Sequence, residues 1–284
     1  MAASVINRPC PLCGGSDVQH RKHIPYEYYG ETNPTYNDRL GRSLYERAAD
    51  ASSLVSCCTC GFIFADNILI PELMKRLYND VIDLSRSWKK CCSEEKIKSR
   101  SYICSIIKGL PLQCDARILD VGCGWGDLLR DLNALGYENT VGVEMSHRRQ
   151  EEILKHGGAV FDSLKKALRH GPFDLILAVQ FLEHDPECLQ TLRILNHALS
   201  ASGYLYACVP NAQHVYGTSP GIALPNPPDS NVNPLEHVNY FAPEFFLKAL
   251  HLAGFEPVHF NSLEPLQHMQ GTSSIARKRR EAIS

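Results

Sequence analysis

Two short motifs near the N-terminus have the residue types and spacing of a metal site. Cys10 and Cys13 stand in C-P-L-C-G-G, and Cys57 and Cys60 stand in C-C-T-C-G-F. A Cys-x-x-Cys step lets two thiolates reach one ion. The glycine after it allows the tight turn, and backbone N–H groups then face the sulfurs. Two such knuckles supply four ligands, enough to close a tetrahedral zinc site. Cys58 leaves the first ligand of the second pair open between Cys57 and Cys58, and the spacing favours Cys57. A redox Cys-x-x-Cys would need only one pair, at a helix start after a strand, and neither pair has that context.

A second concentration of chemistry lies at residues 118–127, which read I-L-D-V-G-C-G-W-G-D. Gly122, Gly124 and Gly126 let the backbone turn sharply and approach a ligand. Glu144 ends the next apolar stretch, where a carboxylate can accept both ribose hydroxyls of a nucleoside. A nicotinamide-binding loop would share the Gly-x-Gly and the later acid. Here Asp120 stands directly before Val-Gly, and the loop runs G-x-G-x-G rather than G-x-G-x-x-G.

Strand ends must position these residues. From Ala116 onward, short apolar strands alternate with amphipathic helices. Strands are expected at 117–121, 140–144, 159–161, 173–179 and 203–209, and two last ones at 257–260 and 272–276. The run F-D-L-I-L-A-V at 173–179 is almost wholly apolar, as when both faces of a sheet are covered. Asp185-Pro186 reads as the start of a helix. Repeated units of this length predict a parallel α/β sheet with helices on both sides, whose ligands sit at the carboxyl ends of the strands. Before it, residues 71–108 are helical in pattern, with Leu73, Leu77 and Tyr78 on one face and Ile97, Tyr102, Ile103, Ile106 and Ile107 on another.

The 284 residues allow one large domain or two modest ones. Apolar residues are 44% and charged residues 21%, and the formal charge is -2. That balance provides no global field for nucleic acid or an anionic membrane. There is no apolar run long enough to span a bilayer. The first residues lack the charged and apolar regions of a signal peptide. A cytoplasmic location is therefore expected, and the 12 cysteines read as metal ligands and buried thiols rather than a disulfide framework.

With F-D-L-I-L-A-V-Q-F-L-E-H and H-V-N-Y-F-A-P-E-F-F-L-K-A-L-H-L-A-G-F, the glycine loop resembles the class I S-adenosylmethionine-dependent methyltransferases. It looks most like the branch with an E-H pair after the fourth strand. The cysteine pairs are similar to zinc knuckles carried by some members of that branch, including certain sugar C-methyltransferases. The resemblance implies a Rossmann-like seven-stranded methyltransferase sheet with an antiparallel last strand. It also implies S-adenosylmethionine and zinc as cofactors. The chain then divides into a zinc-binding module at 1–70, a helical bridge at 71–112, a methyltransferase domain at 113–278 and a basic tail at 279–284.

Carried over by position, Asp120 and the backbone of Gly122, Cys123 and Gly124 would hold the methionine end of the cofactor. Glu144 would bind the ribose, Met145 would lie along the adenine, and Asp162 would meet the adenine amino group. Val179 and Gln180 would flank the sulfur. Methyl transfer to a hydroxyl or carbon acid needs a base. His184, after Glu183, is the first candidate, and His237, with Tyr240 nearby, is the second.

The expected acceptor is a small molecule, and the zinc-module resemblance points to a sugar or glycan intermediate. The alternatives are an RNA methyltransferase gripping nucleic acid through the zinc module and a non-catalytic cofactor-binding scaffold. Arg21, Lys22, Tyr26, Tyr28, Tyr29, Arg39 and Arg42 offer a faint basic and aromatic patch for RNA, but the near-neutral charge opposes it. The long Pro- and Gly-rich stretch 211–239 reads as a substrate lid. The N-P-P-D at 226–229 is read as a turn, and the Arg277–Arg280 cluster as a solvated chain end.

Overall fold

A computed structural model describes residues 5–23, 53–216, 232–266 and 269–279. The segment 24–52 with its tyrosines, the centre of the expected lid (with N-P-P-D) and Arg280 lie outside the described residues. Two compact units interleave along the chain. One comprises Met1–Asp83, Leu182–Cys188 and Pro210–Phe246, and the other comprises Leu84–Phe181, Leu189–Val209 and Leu247–Ser284.

The first unit is built on four short antiparallel strands in the order β11-β4-β3-β2. These are β2 (Val18–His23), β3 (Ser53–Cys57), β4 (Ile63–Ala65) and β11 (Asn239–Tyr240). A two-stranded ribbon pairs β1 (Val5–Asn7) with β5 (Asn67–Leu69). Helix α1 (Pro71–Arg76) runs into a wide turn at Leu77–Val81. Its Met74, Leu77 and Val81 join Leu54, Ile63, Val232 and Leu235 in one apolar cluster.

The second unit holds a seven-stranded sheet in the order β12-β13-β10-β9-β6-β7-β8. Its strands are β6 (Ile118–Val121), β7 (Thr140–Val143), β8 (Ala159–Phe161), β9 (Phe173–Val179), β10 (Leu199–Pro210), β12 (Phe255–Leu266) and β13 (Met269–Lys278). β6 through β10 pair in parallel, and β12 and β13 are antiparallel to each other. This mixed sheet has the Rossmann-like arrangement that the resemblance implies. Helices α2 (Leu84–Cys91) and α3 (Glu94–Lys108) precede it. α3 is capped by Ser93, whose Oγ accepts the Lys96 N–H, and it stops at Gly109. Helices α4 (Asp127–Ala134), α5 (His147–Lys155), α6 (Leu164–Ala167) and α7 (Cys188–Ala198) connect the strands. α8 (Gln213–Tyr216) and α9 (Pro243–Leu252) follow β10.

Three local readings differ from the sequence pattern. Ile97 points to solvent, because only Ile103, Cys104 and Ile107 of α3 reach the core. α7 begins at Cys188 rather than at Asp185-Pro186. Asp185 instead makes a local turn, its Oδ1 accepting the Glu187 N–H at 3.0 Å, while its carbonyl accepts from the Asn239 side chain. The last two strands are longer than expected, because each finds its ladder in the other.

β9 is the middle of the sheet, and Leu175 and Leu177 pack against Ile103, Ile107, Ile118 and Leu132. Leu177→Ala leaves a cavity there and is expected to cost about 2–5 kcal/mol in urea unfolding; a loss below about 1 kcal/mol would contradict this packing.

Candidate active site

In the seven-stranded sheet, β6 lies between β9 and β7, so its carboxyl end is the point where strand order reverses. Asp120 is buried in β6. Burial, followed by repulsion from Glu144, pushes its pKa up to about 7. The turn after it is held by Val143, whose carbonyl accepts the N–H groups of Gly122 and Cys123 at 2.9 and 3.0 Å. Gly122 has φ 75°, and a Cβ there would strike the Phe181 ring at 2.8 Å. Gly124 has φ 57°, but nothing lies within 4 Å of its missing Cβ. The loop therefore offers left-handed backbone to open space.

Glu144 follows β7 and is also buried. Its Oε1 accepts the Ser146 N–H at 2.7 Å, and its Oε2 lies 3.6 Å from Arg149 Nη1. Burial raises its pKa, while Arg149 and the backbone of Ser146, Gly124 and Met145 oppose that rise. Arg149 also donates to Ser87 Oγ at 3.0 Å and lies over the Trp125 ring. Trp125 Nε1 donates to the same hydroxyl at 3.1 Å, and Trp88 meets Trp125 edge-on. Sequence reasoning missed Ser87, Trp125 and Arg149. Trp125 stands inside the glycine loop and Arg149 is a cation in the helix that follows Glu144, whereas Ser87 had no local signal.

Met145 is exposed at the same strand end. Asp162 follows β8 but pairs with Lys166 at 2.7 Å on the surface. Val179 ends β9 and is partly buried. Gln180 next to it has φ 54°, a left-handed conformation rare for a residue with a side chain. Its N–H is fixed on Cys208 O at 2.8 Å, and its buried Nε2 has no hydrogen-bond partner.

The four cysteines converge in the other unit. Cys10 Sγ lies 3.6 Å from Cys60 Sγ, and Cys13 Sγ lies 3.4 Å from Cys57 Sγ. All four sulfurs fall within 4.8 Å of one another. The knuckle turns close by Gly14 N–H to Cys10 O and Gly61 N–H to Cys57 O, both 2.8 Å. Cys58 is exposed and stands outside the cluster. Burial would raise the Cys57 pKa, but hydrogen bonds from the backbone of Cys60 and Thr59 and from neighbouring thiols outweigh it and bring it to about 7. Burial pushes the Cys10 and Cys60 thiols the other way, upward, so the case for a metal rests on four sulfurs gathered at ligand spacing.

The same unit gathers Glu183, His184 and His237, whose ligand-type atoms also lie within 4.8 Å of one another. His184 Nδ1 lies 2.8 Å from the Glu236 carbonyl and 3.1 Å from the Tyr78 hydroxyl. A carbonyl only accepts, so Nδ1 carries a proton, and in the neutral ring Nε2 keeps the lone pair. Nε2 is 3.9 Å from Glu183 Oε1, and the His237 ring stands edge-on at 4.7 Å between centroids. The Glu236 carboxyl is buried, which pushes its pKa up to about 7. Tyr78 and Glu236 were missed as site residues. Tyr78 looked like one more residue on an apolar helix face, while Glu236 had a signal in the repeated E-H pair.

The described part of the basic cluster is engaged by the protein itself. Arg277 lies over the Tyr204 ring, Lys278 Nζ donates to Leu199 O at 2.6 Å, and Arg279 Nη2 donates to His251 O at 2.9 Å. Among the described residues, no helix is long and apolar enough to cross a membrane.

Residues 95–260 match a family described as a methyltransferase domain. No curated protein matches the chain. Among solved structures, the chain is similar to an S-adenosylmethionine-dependent methyltransferase from Archaeoglobus fulgidus, at 18% identity and a TM-score of 0.50, over 69% of this chain and 100% of that one. It is also similar to one from Clostridium acetobutylicum, at 12% identity and 0.49, over 67% and 94%. A third is the 1,6-didemethyltoxoflavin-N1-methyltransferase of Burkholderia thailandensis with bound 1,6-didemethyltoxoflavin and S-adenosylhomocysteine, at 15% and 0.48, over 68% and 81%.

Asp120 sets a pH dependence. The folded chain keeps its proton up to about pH 7, whereas an unfolded chain releases it near the ordinary 3.8. Between those values the folded state binds more protons, so stability falls as pH rises. Urea unfolding at pH 5 and pH 8 should show Asp120→Asn gaining on the wild type by on the order of a few kcal/mol at the higher pH. Parallel pH profiles for the two proteins would contradict it.

Proposed function

Because the chain belongs to the methyltransferase-domain family, we propose that it methylates a small-molecule acceptor, a sugar or glycan intermediate, with its own histidines managing the acceptor's proton. The enzyme is a class I S-adenosylmethionine-dependent methyltransferase. The bound cofactor supplies an electrophilic methyl on a positively charged sulfonium. The observation that carries the reading is the buried Asp120 carboxyl beside the open left-handed backbone of Gly124. Such a site favours a ligand that brings an ammonium group and a carboxylate on one carbon.

The other residues fit the rest of the cofactor. Gly122, Cys123 and Gly124 would hold the methionine end with their backbone, and Glu144 would accept the ribose hydroxyls. Exposed Met145 would cover the adenine, and Asp162 would exchange its surface pair with Lys166 for the adenine amino group. Val179 and Gln180 would flank the sulfur, which would give the buried Gln180 amide a polar neighbour.

His184 is the proposed general base. Its Nδ1–H is fixed by the Glu236 carbonyl, which leaves Nε2 to take a proton from the acceptor. The imidazolium so formed would face the Glu183 carboxylate. His237 is the proposed second proton carrier. Cys10, Cys13, Cys57 and Cys60 would hold a structural zinc ion, since four thiolates leave no open position for substrate. The formal charge of -2 supports a small acceptor over RNA.

Calorimetry with S-adenosylhomocysteine should show binding that Glu144→Ala weakens by at least about tenfold, or ~1.4 kcal/mol. No binding by the folded wild type would overturn the cofactor assignment. Elemental analysis should find one zinc per chain, lost in the Cys10→Ser, Cys13→Ser double variant. A stable, metal-free wild type would refute the zinc assignment.

A further inference from the structure

We propose that Arg8, just before the first cysteine knuckle, is a positioning residue that with Asn239 fixes the two histidine-bearing segments against each other. This rests on the reading that His184 and His237 handle the acceptor's proton.

Both segments are irregular. His184 lies in 182–188, after β9, and His237 lies in the stretch before β11. Carbonyls in such segments have no complete ladder, and buried ones need donors from elsewhere. Two side chains meet that need. The Arg8 side chain is partly buried, and its guanidinium spreads its donors over four acceptors. Nε reaches Ala65 O at 2.9 Å, and Nη1 reaches Pro186 O at 2.8 Å. Nη2 donates to Val238 O and, at 3.0 Å, to Asn239 Oδ1. The plane lies over the Phe64 ring at 5.3 Å.

Asn239 completes the clamp. Its Nδ2 donates to Leu182 O and Asp185 O, both at 2.7 Å, so His184 sits between two anchored carbonyls. The N–H groups of Val238 and Asn239 meet Glu183 O at 2.8 and 3.1 Å. On the other side, Arg8 holds the carbonyl of Val238, the residue directly after His237. The bond from His184 Nδ1 to Glu236 O joins the same two segments. Its length, and hence which nitrogen of His184 is the base, depends on their registry. A planar fork serves four acceptors at once, which a point charge on a flexible stem cannot do. The cysteine module thus has a role in setting the chemistry of histidines far away in sequence.

The test is long-range 1H–15N NMR of the histidine rings in the zinc-loaded 284-residue chain. The wild type should show neutral His184 as a single Nδ1–H tautomer. In Arg8→Met, Arg8→Lys and Asn239→Ala it should become a mixture of tautomers with a shifted pKa. Zinc should stay at one per chain, and S-adenosylhomocysteine affinity should stay within about twofold. Asn239→Ala carries the test alone if the Arg8 variants do not fold. An unchanged His184 signature in a folded variant, or full rescue by lysine, would overturn the proposal. So would loss of zinc or of S-adenosylhomocysteine binding in step with the tautomer change, which would mark a merely structural role. Failure of the wild type to bind S-adenosylhomocysteine would instead remove the methyltransferase reading, and the His184 signature would still decide the clamp.

Discussion

At the end of β6 a carboxyl is held out of water with a second carboxyl as its charged neighbour. Asp120 is buried, and Glu144 raises its pKa further. Such a group costs free energy while ionised and alone, because burial removes the water that would solvate its charge. On the proposed reading, its surroundings are organised for an incoming cation. The next residues turn left-handed into open space at Gly124. Arg149 is drawn to Glu144 and is itself braced by Ser87 and Trp125. On the proposed reading, the ammonium of the cofactor is the missing positive charge, and the strain and polarity at the strand ends are kept for that ligand.

The other unit solves a different problem. It must hold two irregular segments with their histidines facing each other, using short strands and little regular structure. Four thiols in one cage, a partly buried guanidinium and one fully engaged asparagine stand where the ladders are missing. The tautomer of His184 follows from this arrangement, since a carbonyl at Nδ1 leaves Nε2 as the basic atom. Sequence, packing and proposed chemistry meet in that one bond.

Much of this was legible in sequence where the determinant is local. The strand 173–179 is apolar because both its faces are covered, and its bounds follow directly. The cysteine pairs carry their own spacing, and the turn glycines their own conformational need. What could not be read is long-range. Nothing near Arg8 says that its guanidinium will meet Pro186 and Val238. Nothing near Tyr78 says that its hydroxyl will reach His184 rather than lie in the core. The start of α7 was misplaced for the same reason. Asp185-Pro186 has the local signature of a helix start, but a side chain from residue 239 takes the Asp185 carbonyl. The interleaving of the two compact units is likewise a property of tertiary contacts and leaves no mark on composition.

On the proposed reading, Asp120 waits for a positive ligand group. Counting protons when S-adenosylhomocysteine binds, by calorimetry in buffers of different ionisation enthalpy, tests this. Near pH 7, where burial holds Asp120 half protonated, binding should release part of a proton. The release should vanish at higher pH and in Asp120→Asn. Tight binding with no proton release at any pH, or the same release from Asp120→Asn, would contradict the account.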